Sequence, residues 1–304
     1  MKSEISQTTL NKIKPWMISA RANFLILSLV LAFLGSAVAW HEGFFHLPYA
    51  LLAGGGLVLA HASVNILNNY FDFRSGIDLM TERTPFSGGG GALPEGLLSP
   101  RQVLAFGLFM FFSATAIGLY FVVSVGWRLL PLLLGAALLI LLYSPLILKC
   151  PWPEWSAGAG LGAMPVLGMY FVLSGSYTYS ALIASIPSAL LVHNLLLLNE
   201  FVDAKADHAG GRRTLPIILG PRRAALFFTV TALMVYLWIA AWAAAGVMPM
   251  PTVLAFLTLP LAVKAIIGAW HSHDREKLVS AMGIHVAVVL LTHILIALGY
   301  IISA

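Results

Sequence analysis

Apolar residues run along this chain in long blocks broken by short polar stretches, not in the strict alternation of half-buried strands. A helix needs about 20 mostly apolar residues to cross a bilayer. Nine blocks meet that length and predict nine helices, at roughly 18–40, 47–71, 102–124, 128–148, 156–175, 179–201, 223–246, 250–271 and 280–302. The longest polar insertions, roughly 72–101 and 202–222, leave no room for a separate soluble domain. The pattern predicts an all-α, polytopic membrane protein, with residues 1–304 forming a single domain. The polar, basic stretch Met1–Pro15 leads into an apolar run that continues as a full span, without a small-residue cleavage site of the signal-peptide kind.

Composition agrees with this class. Of 304 residues, 60% are hydrophobic and 10% charged, whereas soluble domains are about a quarter charged. The formal charge of +5 comes from basic residues scattered around the apolar runs. That distribution excludes nucleic acid as the expected partner and points to topology and attraction to anionic membrane lipid. With an N-terminus in the cytoplasm, Lys2, Lys12, Lys14, Arg21, Arg74, Arg83, Arg101, Lys149, Lys205, Arg212, Arg213, Arg222, Arg223, Arg275 and Lys277 fall on that side. The other side receives only Arg128, and Lys264 lies within a span. Excess Lys and Arg mark cytoplasmic loops, so the expected orientation is N-in, C-out. The single Cys150 excludes an intramolecular disulfide framework and a cysteine-based zinc site.

Two polar stretches stand out at the ends of apolar runs: Asn68-Asn69-Tyr70-Phe71-Asp72-Phe73-Arg74-Ser75-Gly76-Ile77-Asp78 and Asn199-Glu200-Phe201-Val202-Asp203-Ala204-Lys205-Ala206-Asp207. Each sets an Asn four residues before an Asp. Positions four apart share a helix face, so Asn68 pairs with Asp72, and Asn199, Asp203 and Asp207 form one stripe. Asp78 would fall on a different face if the helix continued. Gly76 is expected to end the helix and let Asp78 fold back towards Asp72. With this orientation, both motifs sit at the cytoplasmic ends of helices and face each other across a shared cavity.

Acidic residues number twelve, and six of them (Asp72, Asp78, Glu82, Glu200, Asp203 and Asp207) lie in or beside these motifs. Carboxylates next to hydrocarbon are costly and usually functional. They also repel one another unless a cation lies between them. Magnesium suits such a set, since it takes oxygen ligands and commonly binds through a few carboxylates together with substrate phosphates. Arg74, Arg83, Lys205, Arg212 and Arg213 accompany the acids, and a diphosphate needs such cationic contacts. A water-soluble diphosphate would not require nine apolar helices, but a lipid diphosphate would. The run Gly88–Gly91 follows Asp78 and permits close backbone approach to a ligand, as a phosphate cradle, a lid or a plain linker. It lacks the Lys-Ser/Thr of a P-loop.

The paired motifs resemble those of the UbiA superfamily of intramembrane prenyltransferases. Asn68-xxx-Asp72 with Gly76 and Asp78 is similar to the family's first Asp-rich motif. Its spacing is most like that of the branch that prenylates 1,4-dihydroxy-2-naphthoate on the way to menaquinone. Asn199-xxx-Asp203-xxx-Asp207, followed by Ala209-Gly210-Gly211-Arg212-Arg213-Thr214-Leu215-Pro216 and Gly220, resembles the second motif and its trailing loop. Tyr143-Ser144-Pro145 with Lys149 resembles the end of the family's fourth helix, and Arg21 matches a basic position in the first. The resemblance implies nine helices around a central cavity, Mg2+, a polyprenyl diphosphate donor and an aromatic acceptor in a bacterial inner membrane. It implies that Asp72, Asp78, Asp203 and Asp207, with Asn68 and Asn199, hold the metal. Arg21, Arg74, Lys149, Lys205, Arg212 and Arg213 would contact the substrate, and Tyr70 and Tyr143 would line the cavity. The chain departs from the family pattern at Asn69, where many relatives have Asp, in its glycine-rich loop, and at Trp152-Pro153-Glu154-Trp155.

Simpler readings exist for some of these residues. Arg74, Lys149, Lys205, Arg212 and Arg213 also fit as topology determinants, Tyr70 and Tyr143 as interfacial aromatics, and His61 and His193 as interhelical hydrogen-bonding groups. Competing functions are the same reaction on another acceptor, such as 4-hydroxybenzoate or a lipid, and a cation-coupled transporter. A transporter places its acids near the bilayer midplane, whereas these sit at helix ends beside arginines.

Overall fold

A computed structural model describes residues 12–304. Among these the regular structure is entirely helical. Eight helices are long and apolar enough to span a membrane, and a ninth, Trp127–Leu142, is apolar but shorter. The nine predicted helices are thus present among the described residues, eight of them at spanning length. A helical stretch through 12–19 leads into α1 (Ile26–His41). It is followed by α2 (Leu47–Ser75), the short α3 (Ile77–Met80), α4 (Pro100–Ser124), α5 (Leu130–Leu142) and α6 (Glu154–Ser174). The chain closes with α7 (Tyr179–Ala209), the short α8 (Leu215–Leu219), α9 (Pro221–Ala244), α10 (Leu259–Trp270) and α11 (Arg275–Ile302).

The long helices start where side chains replace the missing backbone acceptors. Ser99 and Gln102 form a reciprocal capping box at α4, Thr178 accepts from the Ala181 N–H at α7, and Asp274 accepts from Lys277 at α11. Two differences from the predicted boundaries bear on the site. The fourth span stops at Leu142 rather than near 148, because Pro145 cannot continue a helix and the chain turns through a 3-10 segment at Ile147–Lys149. The second and sixth spans run further than their apolar blocks, to Ser75 and Ala209, so Asp72, Asp203 and Asp207 stand on helices and not in loops.

Close crossings hold the bundle. A methyl group on Gly158 would lie 2.6 Å from the Ala189 carbonyl oxygen, and one on Gly162 would lie 2.6 Å from that of Ser188. This pair of glycines four apart lets α6 lie directly against α7. The main apolar core, with Leu31, Leu34, Val166, Tyr170, Leu191, Ile239, Val289 and Tyr300, joins α1, α6, α7, α9 and α11. Most of these helices, together with α2, α4 and α5, enclose a cavity of about 510 Å³, within the range that accepts drug-sized ligands. Its walls come from α1, α2, α4, α5, α6, α7 and α11.

Candidate active site

The cavity is polar at one end and apolar along its depth. A stripe on α2 descends into it: Asp72, Asn68, Asn65 and His61, separated by four, three and four residues, all line the wall. Deeper, the lining is Leu57, Phe111, Ile117, Leu133 and similar residues. His61 reaches across to the Ser28 hydroxyl of α1, 2.9 Å from its Nδ1. The hydrogen bond expected of a membrane histidine is therefore found, but on the cavity wall.

The polar end gathers both motifs. Asp72, Asp78, Asp203 and Asp207 all line it, as do Asn68, Asn199, Arg21, Tyr143 and Arg212. Gly76 has φ 82° and caps α2, a left-handed conformation that favours glycine. The chain then turns into α3, which brings Asp78 back to the same cavity as Asp72. Gly210 completes the junction, because a methyl group there would collide with Ile77 Cδ1. Its bare backbone lets α3 pack on the end of α7, and so joins the two motifs.

Within this cluster the charges are unevenly satisfied. The Arg212 guanidinium bridges the motifs, donating from one nitrogen to Asp207 Oδ1 at 2.7 Å and from the other to Asp72 Oδ1. Asn68 Nδ2 donates to the second Asp72 oxygen at 3.1 Å and also to Ser144 Oγ at 3.1 Å. Among the described residues, Asp203 and Asp78 have no such support. Asp203 Oδ1 is buried without a hydrogen-bond partner among the described residues, and so are both carboxylate oxygens of Glu200. Burial pushes the Asp78 carboxyl up to about 7; the charge on Asp72 adds to the rise, while Arg21, Arg212 and Arg83 oppose it. Buried carboxylates left without a counter-charge are expensive, and oxygen donors of this kind suit a hard divalent cation. Among the described residues no three acidic or histidine side chains stand close enough to cage an ion by themselves. Magnesium does not require such a cage, since it usually retains waters and substrate phosphates alongside one or two carboxylates. The residues therefore fit a metal shared with a diphosphate.

The loop carrying Arg212 is pinned from the side. Arg213 N–H donates to the Leu148 carbonyl at 3.2 Å, Trp152 N–H donates to the Arg213 carbonyl at 3.1 Å, and Glu154 Oε1 accepts the Leu215 N–H at 2.6 Å. The unusual Trp152-Pro153-Glu154 segment thus holds the second motif's trailing loop. Trp152 also donates to His193 Nε2 at 2.9 Å.

Other residues named from the sequence lie elsewhere. Arg74, Lys149, Lys205 and Arg213 are exposed and outside the cavity lining, and Tyr70 packs on the far side of α2 against the Ala62–Ile66 cluster. Helical geometry accounts for three of them. Tyr70, Arg74 and Lys205 are each two residues from a motif aspartate, about 200° around the helix. Residues that the motif reading missed are Asn65, His61 and Ser144; the four–three–four spacing of polar residues along α2 would have found the first two.

The family model for the UbiA prenyltransferase family matches residues 28–297. The chain belongs to the UbiA prenyltransferase family. Among curated relatives it is 28% identical over 72% of its length to 1,4-dihydroxy-2-naphthoate octaprenyltransferase of Bacillus subtilis, covering 70% of that protein. It is 26% identical over 96% of its length to the enzyme of the same name from Haemophilus influenzae, covering 97%. It is also 28% identical over 78% of its length to digeranylgeranylglyceryl phosphate synthase of Methanoregula boonei, covering 86%. Among solved structures, an apo UbiA homologue from Aeropyrum pernix matches 92% of the chain and 98% of its own, with TM-score 0.70 and 21% identity. An Archaeoglobus fulgidus homologue bound to DMAPP and Mg2+ matches 93% and 98%, with TM-score 0.61 and 13% identity. At these identities the structures establish a shared UbiA fold, the multi-pass helical bundle read from the sequence.

Proposed function

We propose that this UbiA-family protein is a Mg2+-dependent prenyltransferase that moves a polyprenyl group from a polyprenyl diphosphate to an aromatic acceptor. We take the acceptor to be 1,4-dihydroxy-2-naphthoate, in menaquinone biosynthesis. The observation that carries the reading is one cavity that has carboxylates of both motifs at its polar end and apolar walls behind them. A lipid diphosphate matches both halves: head at the carboxylates, tail along the walls. The naphthoate acceptor draws its support from the Bacillus and Haemophilus relatives and from the five residues between Asp72 and Asp78. Similarity to the glyceryl phosphate enzyme supports a second reading, a phosphate-bearing lipid acceptor.

Asp72, Asp78, Asp203 and Asp207, with Asn68 and Asn199, would hold magnesium, which neutralises charge developing on the leaving diphosphate. Asn68 keeps the Asp72 carboxylate turned towards the cavity. Arg212 contacts the diphosphate oxygens, its planar fork being suited to two acceptors at once. Arg21 lines the same mouth, and its buried Nε has no partner among the described residues. The apolar walls exclude water from the allylic cation, and the Tyr143 ring offers it a π-face. The acceptor ring then attacks the cation and loses a proton, or carbon dioxide where its carboxylate occupies the attacked position. With the basic loops facing the cytoplasm, the site would open on the cytoplasmic side of a bacterial inner membrane, beside its anionic lipid.

The test uses purified protein in lipid with magnesium and radiolabelled polyprenyl diphosphate. 1,4-Dihydroxy-2-naphthoate, 4-hydroxybenzoate and a glyceryl phosphate lipid are offered in parallel. A prenylated naphthoquinol that disappears with EDTA is the expected result. Product with only another acceptor would overturn the acceptor assignment. No product together with no magnesium-dependent diphosphate binding would overturn the reaction and favour a cation-coupled transporter.

A further inference from the structure

We infer that Asn69 is a positioning residue that clamps the glycine-rich loop over Asp78 from outside the cavity, fixing that carboxylate for the metal and diphosphate. The inference rests on the reading of the cavity mouth as a magnesium–diphosphate site. Asn69 follows Asn68 by one residue, about 100° around α2, so it leaves the cavity-facing stripe. It is buried and absent from the cavity lining.

Its amide is used at both ends. Nδ2 donates to the Ser19 carbonyl at 2.7 Å, and Oδ1 accepts the Gly90 N–H at 3.1 Å. One side chain thereby ties α2 to the segment before α1 and to the loop after α3. A neutral amide can donate from one end and accept at the other, which an ionised carboxylate cannot. An ionised Asp here could accept from Gly90 but could not donate to Ser19.

The loop is packed where Asn69 grips it. A methyl group on Gly90 would lie 2.5 Å from the Ile18 carbonyl oxygen and 3.1 Å from Asn69 Nδ2. One residue earlier, a methyl group on Gly89 would lie 2.5 Å from Asp78 Oδ1 and 3.1 Å from Oδ2. The Gly89 backbone therefore rests on the Asp78 carboxylate, and Gly88 and Gly89 form part of the cavity wall. The run is thus a fitted roof, held one residue away from the carboxylate that it covers, and not a plain linker. Releasing the Gly90 N–H frees the roof and with it the direction of Asp78.

The experiment measures binding of radiolabelled geranyl diphosphate by the full chain in lipid nanodiscs as magnesium is titrated, alongside thermal unfolding. Asn69→Leu removes both hydrogen bonds at similar volume and should raise the magnesium midpoint about tenfold, the scale of two lost buried hydrogen bonds. Asn69→Asp keeps the Gly90 bond but sets a buried carboxylate oxygen against the Ser19 carbonyl, so it should also raise the midpoint. Gly90→Ala, acting from the loop side, should raise the midpoint as Asn69→Leu does. Ser63→Ala is the control. It removes another buried α2 hydrogen bond, to the Gly107 carbonyl at 2.9 Å, away from the cavity, and should lower the unfolding temperature without moving the midpoint. If Asn69→Leu and Gly90→Ala lose thermal stability but keep the native midpoint, Asn69 is merely structural and the inference falls alone. If the native protein shows no magnesium-dependent binding, the site reading falls and takes this inference with it. Should Asn69→Leu fail to fold, Asn69→Asp and Gly90→Ala decide, with Ser63→Ala still the control.

Discussion

In the motif of α2 the helix stops between its two aspartates, while in the motif of α7 it runs through both. Asp203 and Asp207 share a face because a continuous helix repeats every 3.6 residues. Asp72 and Asp78 face the same cavity only because Gly76 adopts φ 82° and α3 folds back under the glycine-rich loop. The second motif is therefore specified by helix geometry alone. The first depends on a turn, a roof and the two hydrogen bonds of Asn69. Their side-chain support differs as well: Asn68 braces Asp72, whereas Asn199 has no corresponding bond to Asp203 among the described residues. Equivalent substitutions in the two motifs should have unequal effects wherever they touch this scaffolding, and equal effects where they touch the carboxylates.

The largest expected effect is therefore symmetric. Asp72→Ala and Asp203→Ala should each lower turnover about 10²–10³-fold or more, the scale of losing a group that stabilises developing charge, in prenyl-transfer assays on variants whose unfolding temperature is retained. Arg212→Ala comes next, since it leaves Asp72 and Asp207 without their shared cation. Diphosphate binding should weaken roughly ten- to a hundredfold, the range for hydrogen bonds to charged groups. Arg212→Lys should recover little, because one ammonium cannot span two carboxylates as the fork does.

Asymmetry appears at the residues between the aspartates. Gly76→Ala forces a side chain into left-handed backbone at a cost of about 1–2 kcal/mol and re-aims Asp78. Unfolding temperature and magnesium affinity should fall together. Lys205→Ala, between Asp203 and Asp207 and exposed, should leave the unfolding temperature unchanged and magnesium affinity within about twofold, as surface substitutions usually do. The smallest contrast is between the asparagines. Asn68→Leu should reduce kcat/KM about tenfold through loss of its bonds to Asp72 and Ser144, and Asn199→Leu should reduce it less. Equal losses at these two positions would remove the scaffolding difference.

The helices were legible because their apolar blocks exceed the length of a bilayer crossing, and nothing but a span uses such blocks. The helix ends near the site were less legible. Hydropathy marks where hydrocarbon ends, not where a helix ends, so α2 and α7 carry their polar motifs beyond their apolar blocks. The fold-back at Gly76 was readable, since glycine two residues before an aspartate has a conformational reason to be there. Proximity in sequence misled for Arg74, Lys205 and Tyr70, which point away from the aspartates two residues distant. The pinning of the Arg212 loop by Trp152 and Glu154, and the grip of Asn69 on Gly90, join residues far apart in the chain. Neither periodicity nor motif spacing carries such pairings.

The central claim is that both motifs serve one metal–diphosphate site. The most direct measurement is calorimetric titration of a prenyl diphosphate into the native protein, Asp72→Asn, Asp203→Asn and the double variant, with and without magnesium. One shared site predicts that magnesium-dependent binding is lost in either single variant and that the double variant is hardly worse, the non-additivity of groups acting together. Independent, additive losses, or full binding in either single variant, would contradict a shared site.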